Sequence, residues 1–306
     1  MAAAPKEWTG EPIRVGVIGG SGLYKLSNIE VVDQVYPETP WGFPSSPITI
    51  GRSKSGNLFA FLARHGLHHA IPPSKVPSLA NIAALKHLGV RAILAFSAVG
   101  SLREEIAPKD FVVPSQIIDR TKGIRRASFF GEGEEENVVA HATFGDPFDE
   151  TLRHVVEGIV RVHANKTTVC MEGPQFSTRA ESVMYRQVGG DIINMSALPE
   201  AKLAREAEIS YVLIATATDY DSWRESNEAV SVAEVLESLR ANVAASEVVT
   251  LALLDKVHDL VKDEFATIVR HMNGSMRFSV MTKPEFIKPH VIERLRYVLP
   301  WFGEQS

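Results

Sequence analysis

The sequence predicts an α/β fold of one domain, with a mostly parallel central β-sheet covered by helices on both faces. Three observations lead there. Short apolar, often β-branched runs alternate with segments of helical spacing along most of the chain. The strand runs are nearly continuous in apolar residues, as a sheet covered on both faces requires. No shift in composition marks a boundary, although 306 residues would allow two domains.

Ile13-Arg-Val-Gly-Val-Ile18 is the first strand, and it ends in the tight turn Gly19-Gly-Ser-Gly22. Leu58-Phe-Ala-Phe-Leu-Ala63 is a second buried strand that delivers Arg64 and His65 at its end. Pro72-Pro73-Ser74 breaks the chain, and Leu79, Ile82, Ala83 and Leu85 then keep helical spacing up to a C-capping Gly89. Arg91-Ala-Ile-Leu-Ala-Phe96 is a strand running into Ser97-Ala-Val-Gly-Ser101. In the strand region Phe111–Ile118, Pro114 predicts an edge or a bulge. Residues 122–150 form a long excursion, and the acidic group around Glu132 and Glu134-Glu-Glu136 reads as a solvated loop.

The second half keeps the rhythm. Thr167–Met171 is a strand, and the capping box Thr178-x-x-Glu181 opens a helix that Gly189-Gly190 stops. Asp191-Ile-Ile-Asn-Met195 is a strand, followed by a helix from Pro199 to Ala207. Tyr211-Val-Leu-Ile-Ala-Thr-Ala217 is a strand ending at Thr218-Asp-Tyr-Asp221. Ser231-x-x-Glu234 caps a long helix reaching Val261, with Val235, Leu239, Val243 and Val249 among its apolar positions.

Composition removes several classes of function. A net charge of −5 gives no field favouring nucleic acid or an anionic membrane. One cysteine, Cys170, excludes a disulfide framework and a multi-thiolate zinc site, and its apolar neighbours read as packing. No run approaches the ~18 apolar residues of a membrane helix. Residues 1–12 lack the pattern of a secretory signal and read as a loose tail, so the expected compartment is the cytoplasm, with the nucleus as a second.

Familiar motifs fail on spacing. A dinucleotide fingerprint starting at Gly20 needs a third glycine where Lys25 stands, and neither a Walker A loop nor a G-x-S-x-G elbow occurs. His65, His68 and His69 cluster without a carboxylate at a helpful spacing, so no metal is expected.

Ligands of open α/β sheets bind beyond the carboxyl ends of the strands. Here those ends present Ser21, then Arg64 and His65, then Ser97 and Ala98, then Met195 and Ser196, then Asp219 and Asp221. Three hydroxyls, a guanidinium and an imidazole suit a small tetrahedral oxyanion. The two aspartates share one face of an extended segment. Such a pair fits an amino-bearing heterocycle, while a solvated loop charge or a helix N-cap is the alternative reading.

Gly19-Gly-Ser-Gly-Leu23, Ala63-Arg-His-Gly66, Ser74-Lys-Val76, Ser97–Glu105, Glu172-Gly-Pro-Gln-Phe-Ser177, Asn194-Met195 and Ala217–Trp223 occur in one order along the chain. Together they resemble the nucleoside phosphorylase family, most closely its members acting on 5′-methylthioadenosine, from about residue 13 to 282. The resemblance implies a nucleoside phosphorylase-like domain over 13–282, with 283–306 a C-terminal extension beyond it. It implies phosphorolysis of that nucleoside to adenine and 5-methylthioribose 1-phosphate, with inorganic phosphate as co-substrate and no cofactor, metal or covalent intermediate.

Carried over by position, Ser21, Arg64, His65, Ser97, Ala98 and Ser196 would hold phosphate. Serine stands at all three hydroxyl positions where the family presents threonine. Phe176 would stack on the purine, Met195 would pack beneath the ribose, and Ser177 belongs to the same substrate-binding motif. Asp219 and Asp221 would bind the purine's imidazole-ring nitrogen and its 6-amino group, with Asp219 the acid and His65 beside the reacting phosphate. Val232 and Val235 would face the thiomethyl group. The family completes its site from a neighbouring subunit, which implies a homotrimer with His141 and Met281 donated.

The chemistry asks for a proton on Asp219 near neutral pH, which burial and the neighbouring Asp221 would supply by raising its pKa. A phosphorylase of inosine, guanosine or adenosine is the alternative enzyme; a 6-oxopurine site in this family usually presents an asparagine. A hydrolase would leave the Arg64 and hydroxyl set without a purpose, and a non-catalytic nucleoside-binding protein would not need the acid. In the extension, Phe286, Leu295, Leu299, Trp301 and Phe302 are expected to cover an apolar surface.

Overall fold

The computed structural model describes residues 5–131, 138–224 and 232–304, the side chains of 232–236 excepted. The acidic group at 132–136 and the cap at Ser231 and Glu234 therefore lie outside the described residues. Nine strands are described: β1 (Val15–Gly19), β2 (Glu30–Val35), β3 (Ile48–Arg52), β4 (Leu58–Ala63), β5 (Ala92–Ser101), β6 (Phe111–Asp119), β7 (Val162–Cys170), β8 (Ile192–Asn194) and β9 (Ser210–Tyr220). The α-helices are α1 (Ser78–His87), α2 (Glu150–Glu157), α3 (Arg179–Gln187), α4 (Ala197–Glu206), α5 (Val232–Val261), α6 (Thr267–Met272) and α7 (Pro289–Arg296).

The strand order is β2-β3-β4-β1-β5-β8-β7-β6-β9, and β9 also pairs with β5. Strands β5, β8, β7, β6 and β9 thus close a ring, with β1 to β4 continuing from β5 as an open wing. Closure brings the ends of β5, β8 and β9 together, and the functional residues lie there.

The sheet is mixed rather than uniformly parallel. The pairs β1–β4, β1–β5, β5–β9, β6–β7 and β7–β8 are parallel. The pairs β2–β3, β3–β4, β5–β8 and β6–β9 are antiparallel. Part of the difference is β2 and β3, which the sequence does not announce. Glu30-Val-Val-Asp-Gln-Val is polar and largely exposed, an edge strand without an apolar run. In β3, Gly51 interrupts the apolar pattern, and a Cβ there would lie 2.5 Å from the Phe59 ring that fills the space.

Alternate strand residues enter two separate apolar clusters, as a period of two requires. Ala60, Leu62, Ile93, Ala95 and Leu213 pack in one cluster with Ile82 and Leu85 of α1, Leu203 of α4 and Leu295 of α7. Phe59, Phe61, Leu94, Val212 and Ile214 pack in the other with Leu152 of α2, Leu253 and Val257 of α5 and Ile268 of α6.

Local signals behave as their chemistry dictates. Gly89 ends α1 at φ 95°. The register shifts on both sides of Pro114, which is a bulge within a doubly paired strand and not an edge. Thr178 and Glu181 form the capping box of α3. Leu198 is non-helical, so regular α4 geometry starts beyond it. Cys170 is fully buried, and burial pushes its thiol up to about 11.

Beyond residue 282 the chain returns to the first cluster. Leu295, Leu299 and Phe302 are buried there, and Trp301 is half-buried with its Nε1 donating to Glu208 at 3.2 Å. Phe286 remains exposed. Among the described residues no helix is long and apolar enough to cross a membrane.

Candidate functional site

A cavity of about 370 Å³ opens where the strand ends meet. Its walls include Ser21, Arg64, His65, Ser97, Ala98 and Ser196 at one end and Met195, Phe176, Asp219 and Asp221 at the other. A cavity of about 430 Å³ surrounds Phe148, Tyr211 and His271, and another of about 370 Å³ lies beside Trp41 and Arg125. Neither gathers the strand-end residues, so side-chain chemistry rather than size identifies the site.

Arg64 leaves β4 directly into the interior, where it is 1% exposed. Its Nε and Nη2 donate to the two carboxylate oxygens of Glu200, each at 2.8 Å, and Nη1 donates to the Phe96 carbonyl at 2.8 Å. Burial alone would lower the guanidinium pKa, yet the Glu200 carboxylate beside it holds it above its ordinary value. Tyr211 Oη donates to the same carboxylate at 2.7 Å. Gly20 makes the room: a Cβ there would lie 2.5 Å from the Phe96 carbonyl oxygen and 3.0 Å from Arg64 Nη1.

The His65 Nδ1 lies 2.9 Å from the Ile71 carbonyl, which can only accept, so Nδ1 carries the hydrogen. Burial, then the charge of Arg64, pushes this imidazole down to about 4. The ring is neutral at physiological pH, and its Nε2 is an acceptor. Ser97 Oγ and Ser196 Oγ stand 3.3 Å apart, and Asn194 Nδ2 approaches Ser97 Oγ at 3.4 Å. Neutral hydroxyls and one arginine therefore converge on a space fit for a tetrahedral anion.

At the other end, Asp219 and Asp221 line the same cavity from the end of β9, while Tyr220 between them points away and donates to the Glu104 carbonyl. Burial raises the Asp219 pKa above its ordinary value, and Asp221 adds to this, against a Thr218 hydroxyl donating at 2.6 Å. Burial raises Asp221 too, opposed by the Ser182 hydroxyl, the Ser222 amide and Ser177. Asp221 Oδ2 is buried with no hydrogen-bond partner among the described residues. Burial thus favours the protonated form at both carboxyls, and the unpartnered Asp221 Oδ2 faces a space that a planar heterocycle would fill.

Phe176 reaches the cavity from a loop and is 75% exposed. Met195 fits against Gly173, where a Cβ would lie 2.5 Å from its Sδ. Ser177 does not line the cavity; it is buried with its hydroxyl donating to Met171 Sδ at 3.5 Å. His141 and Met281 are exposed and lie outside this cavity; they flank the antiparallel bridge Ala140–Val280, His141 opposite Ser279 and Met281 opposite Val139. The side chains of Val232 and Val235 lie outside the described residues. The His65 and His69 rings are 4.7 Å apart, and among the described residues no group of three His, Cys, Asp or Glu could hold a metal ion.

Sequence reasoning missed several residues. Glu200 follows a proline in the first turn of a helix, where an acid is favourable for the helix alone, and nothing local reveals its partner. Arg125 comes from the long excursion. Its Nε donates to Glu172 at 2.8 Å, its Nη1 to the Met195 and Leu198 carbonyls at 2.6 and 2.8 Å, and its Nη2 to the Glu172 carbonyl at 2.8 Å. It thereby ties down the backbone on both sides of Ser196. Leu239 of α5 and Tyr24 complete the apolar walls.

The sequence model of the phosphorylase superfamily matches residues 14–255. The chain is 66% identical to an S-methyl-5′-thioadenosine phosphorylase of Mycosarcoma maydis, over 97% of each chain. It is 54% identical to the S-methyl-5′-thioadenosine phosphorylase of Coprinopsis cinerea, over 95% of this chain and 97% of that one. The fold matches a methylthioadenosine phosphorylase from an antarctic soil metagenomic library with TM-score 0.83 and 39% identity, covering 95% of this chain and 100% of that one. It also matches the Schistosoma mansoni methylthioadenosine phosphorylase in complex with adenine, with TM-score 0.82 and 34% identity, covering 88% of this chain and 99% of that one.

Proposed function

The chain belongs to the phosphorylase superfamily, and we propose that it catalyses the reversible phosphorolysis of 5′-methylthioadenosine to adenine and 5-methylthioribose 1-phosphate. It is a pentosyltransferase with inorganic phosphate as co-substrate and no cofactor. One observation carries the reading: a single cavity holds the Arg64 and serine cradle at one end and the buried pair Asp219 and Asp221, whose pKa values burial raises, at the other.

Breaking an N-glycosidic bond builds positive charge on the sugar and negative charge on the base. Catalysis must stabilise that separation more than the ground state. Phosphate held by the remaining Arg64 N–H groups, Ser21, Ser97 and Ser196 is both nucleophile and counter-charge, so its placement is mainly a proximity effect. Neutral His65 adds an acceptor for a hydroxyl of phosphate or sugar. Asp219, whose pKa burial raises, gives its proton to the ring nitrogen of the departing adenine, a contribution of about 10²–10⁴-fold. Asp221 accepts from the 6-amino group. A 6-oxopurine would set acceptor against acceptor, and such mismatches discriminate by about 10⁴-fold or more.

Met195 and Phe176 hold the ribose and base, and Met281 faces the thiomethyl group. The functional unit is a homotrimer in which a neighbour supplies His141 and Met281. This reading is supported by their exposure outside their own chain's cavity, at the two ends of one short bridge.

The test is adenine release from 5′-methylthioadenosine with and without phosphate, with inosine as the comparison. Phosphate-dependent release with inosine inert is expected. Release without phosphate would make the protein a hydrolase, and rapid inosine cleavage would overturn the aspartate assignment.

A further inference from the structure

We propose that Glu200 is a positioning residue for phosphate: it aims Arg64 into the site, and Tyr211 holds it in turn. This rests on the phosphorolysis reading. Arg64 carries five N–H groups. Two are fixed on the Glu200 carboxylate and one on the Phe96 carbonyl, all at 2.8 Å, so two remain, one on each Nη. A guanidinium on a long side chain has many rotamers, and a bidentate carboxylate selects one plane for it.

Placement supports a role beyond packing. Glu200 lies on α4, four residues after Ser196, and both the Ser196 hydroxyl and the Arg64 guanidinium belong to the phosphate end of the cavity. One helix end therefore fixes an anion-binding hydroxyl and the arginine's holder in a common frame. Tyr211, on β9, donates to Glu200 Oε1 at 2.7 Å, which stops the carboxylate from turning about its own axis.

A fully buried ion pair is also a poor device for stability alone. The desolvation of two charges offsets most of their attraction, and an apolar pair of similar volume would serve packing as well. The pair also offsets the buried Arg64 charge while no anion is bound.

The experiment measures initial rates of the full chain with phosphate varied at saturating nucleoside, and the reverse, alongside thermal unfolding. In Glu200→Gln the shape is kept, but an amide NH₂ now faces one Arg64 donor. The phosphate KM is expected to rise about tenfold or more while the nucleoside KM stays within about twofold. Tyr211→Phe is expected to raise the phosphate KM by about two- to fivefold, again without moving the nucleoside KM.

If both KM values rise together, or neither moves in a variant that melts like wild type, Glu200 is structural only and the inference fails. Should Glu200→Gln not fold, Tyr211→Phe decides, and an unchanged phosphate KM overturns the proposal. A wild-type protein without any phosphate-dependent rate would instead remove the functional reading, before any variant is compared.

Discussion

Gly20 stands against Arg64 so closely that a Cβ on it would lie 3.0 Å from Nη1 and 2.5 Å from the Phe96 carbonyl oxygen that Nη1 binds. The first strand's glycine turn therefore acts less as a ligand loop than as the clearance that lets a buried guanidinium cross beneath it. The carbonyl is backbone and cannot move aside as a side chain would. Gly20→Ala is expected to lower the melting temperature and to raise the phosphate KM by about tenfold, with little change for the nucleoside. Steady-state kinetics with each substrate varied checks this; an alanine variant with wild-type phosphate KM would show that Arg64 tolerates displacement.

Asp219→Asn removes the transferable proton but keeps the shape. Its kcat should fall by about 10²–10⁴-fold in the adenine-release assay. Its stability should move the other way. The folded-state pKa of Asp219 is raised above the ordinary 3.8, so just above that pH the unfolded chain has released a proton that the folded chain retains. Folding stability therefore falls as pH rises through this window, and the penalty is absent below about 3.8. The asparagine variant should melt above wild type at neutral pH and lose that advantage in acid. Equal melting at pH 7 would mean that burial imposes no cost on the acid.

His65 gives the opposite sign. Its folded pKa of about 4 lies below the ordinary 6.5, so between these values the unfolded chain binds the extra proton. Stability is full above pH 6.5 and is lost as pH falls toward 4. The loss attributable to this ring is about 3 kcal/mol. Urea titrations of wild type and His65→Gln across that range should converge as pH falls; parallel curves would show that the ring titrates normally.

The C-terminal segment beyond residue 282 is part of the core. Leu299 is fully buried among residues of the first cluster. Leu299→Ala should cost about 2–5 kcal/mol. A urea midpoint unchanged by this substitution would mean that the segment is only laid over the surface.

The sequence made the cavity-lining residues legible because they sit at strand ends, where apolar runs give way abruptly to Arg64, Ser97 or Asp219. Capping and turn chemistry at Gly89 and Thr178 was equally local, and it held. What escaped was non-local. Glu200 looks like an ordinary first-turn acid until β4 brings Arg64 to it, and Arg125 looks like a loop charge until its guanidinium meets Glu172 and the carbonyls of Met195 and Leu198. The edge strands β2 and β3 escaped because one face of β2 meets solvent, which leaves no apolar run to read. Ring closure between β5 and β9 follows from pairing that no local pattern encodes.

Phosphorus NMR of a reaction containing 5′-methylthioadenosine and inorganic phosphate tests the central claim most directly. The account predicts that the inorganic phosphate signal declines as a sugar 1-phosphate signal grows in step with free adenine. Free adenine accompanied by an unchanged phosphate signal would contradict it, because the Arg64 cradle would then hold no nucleophile.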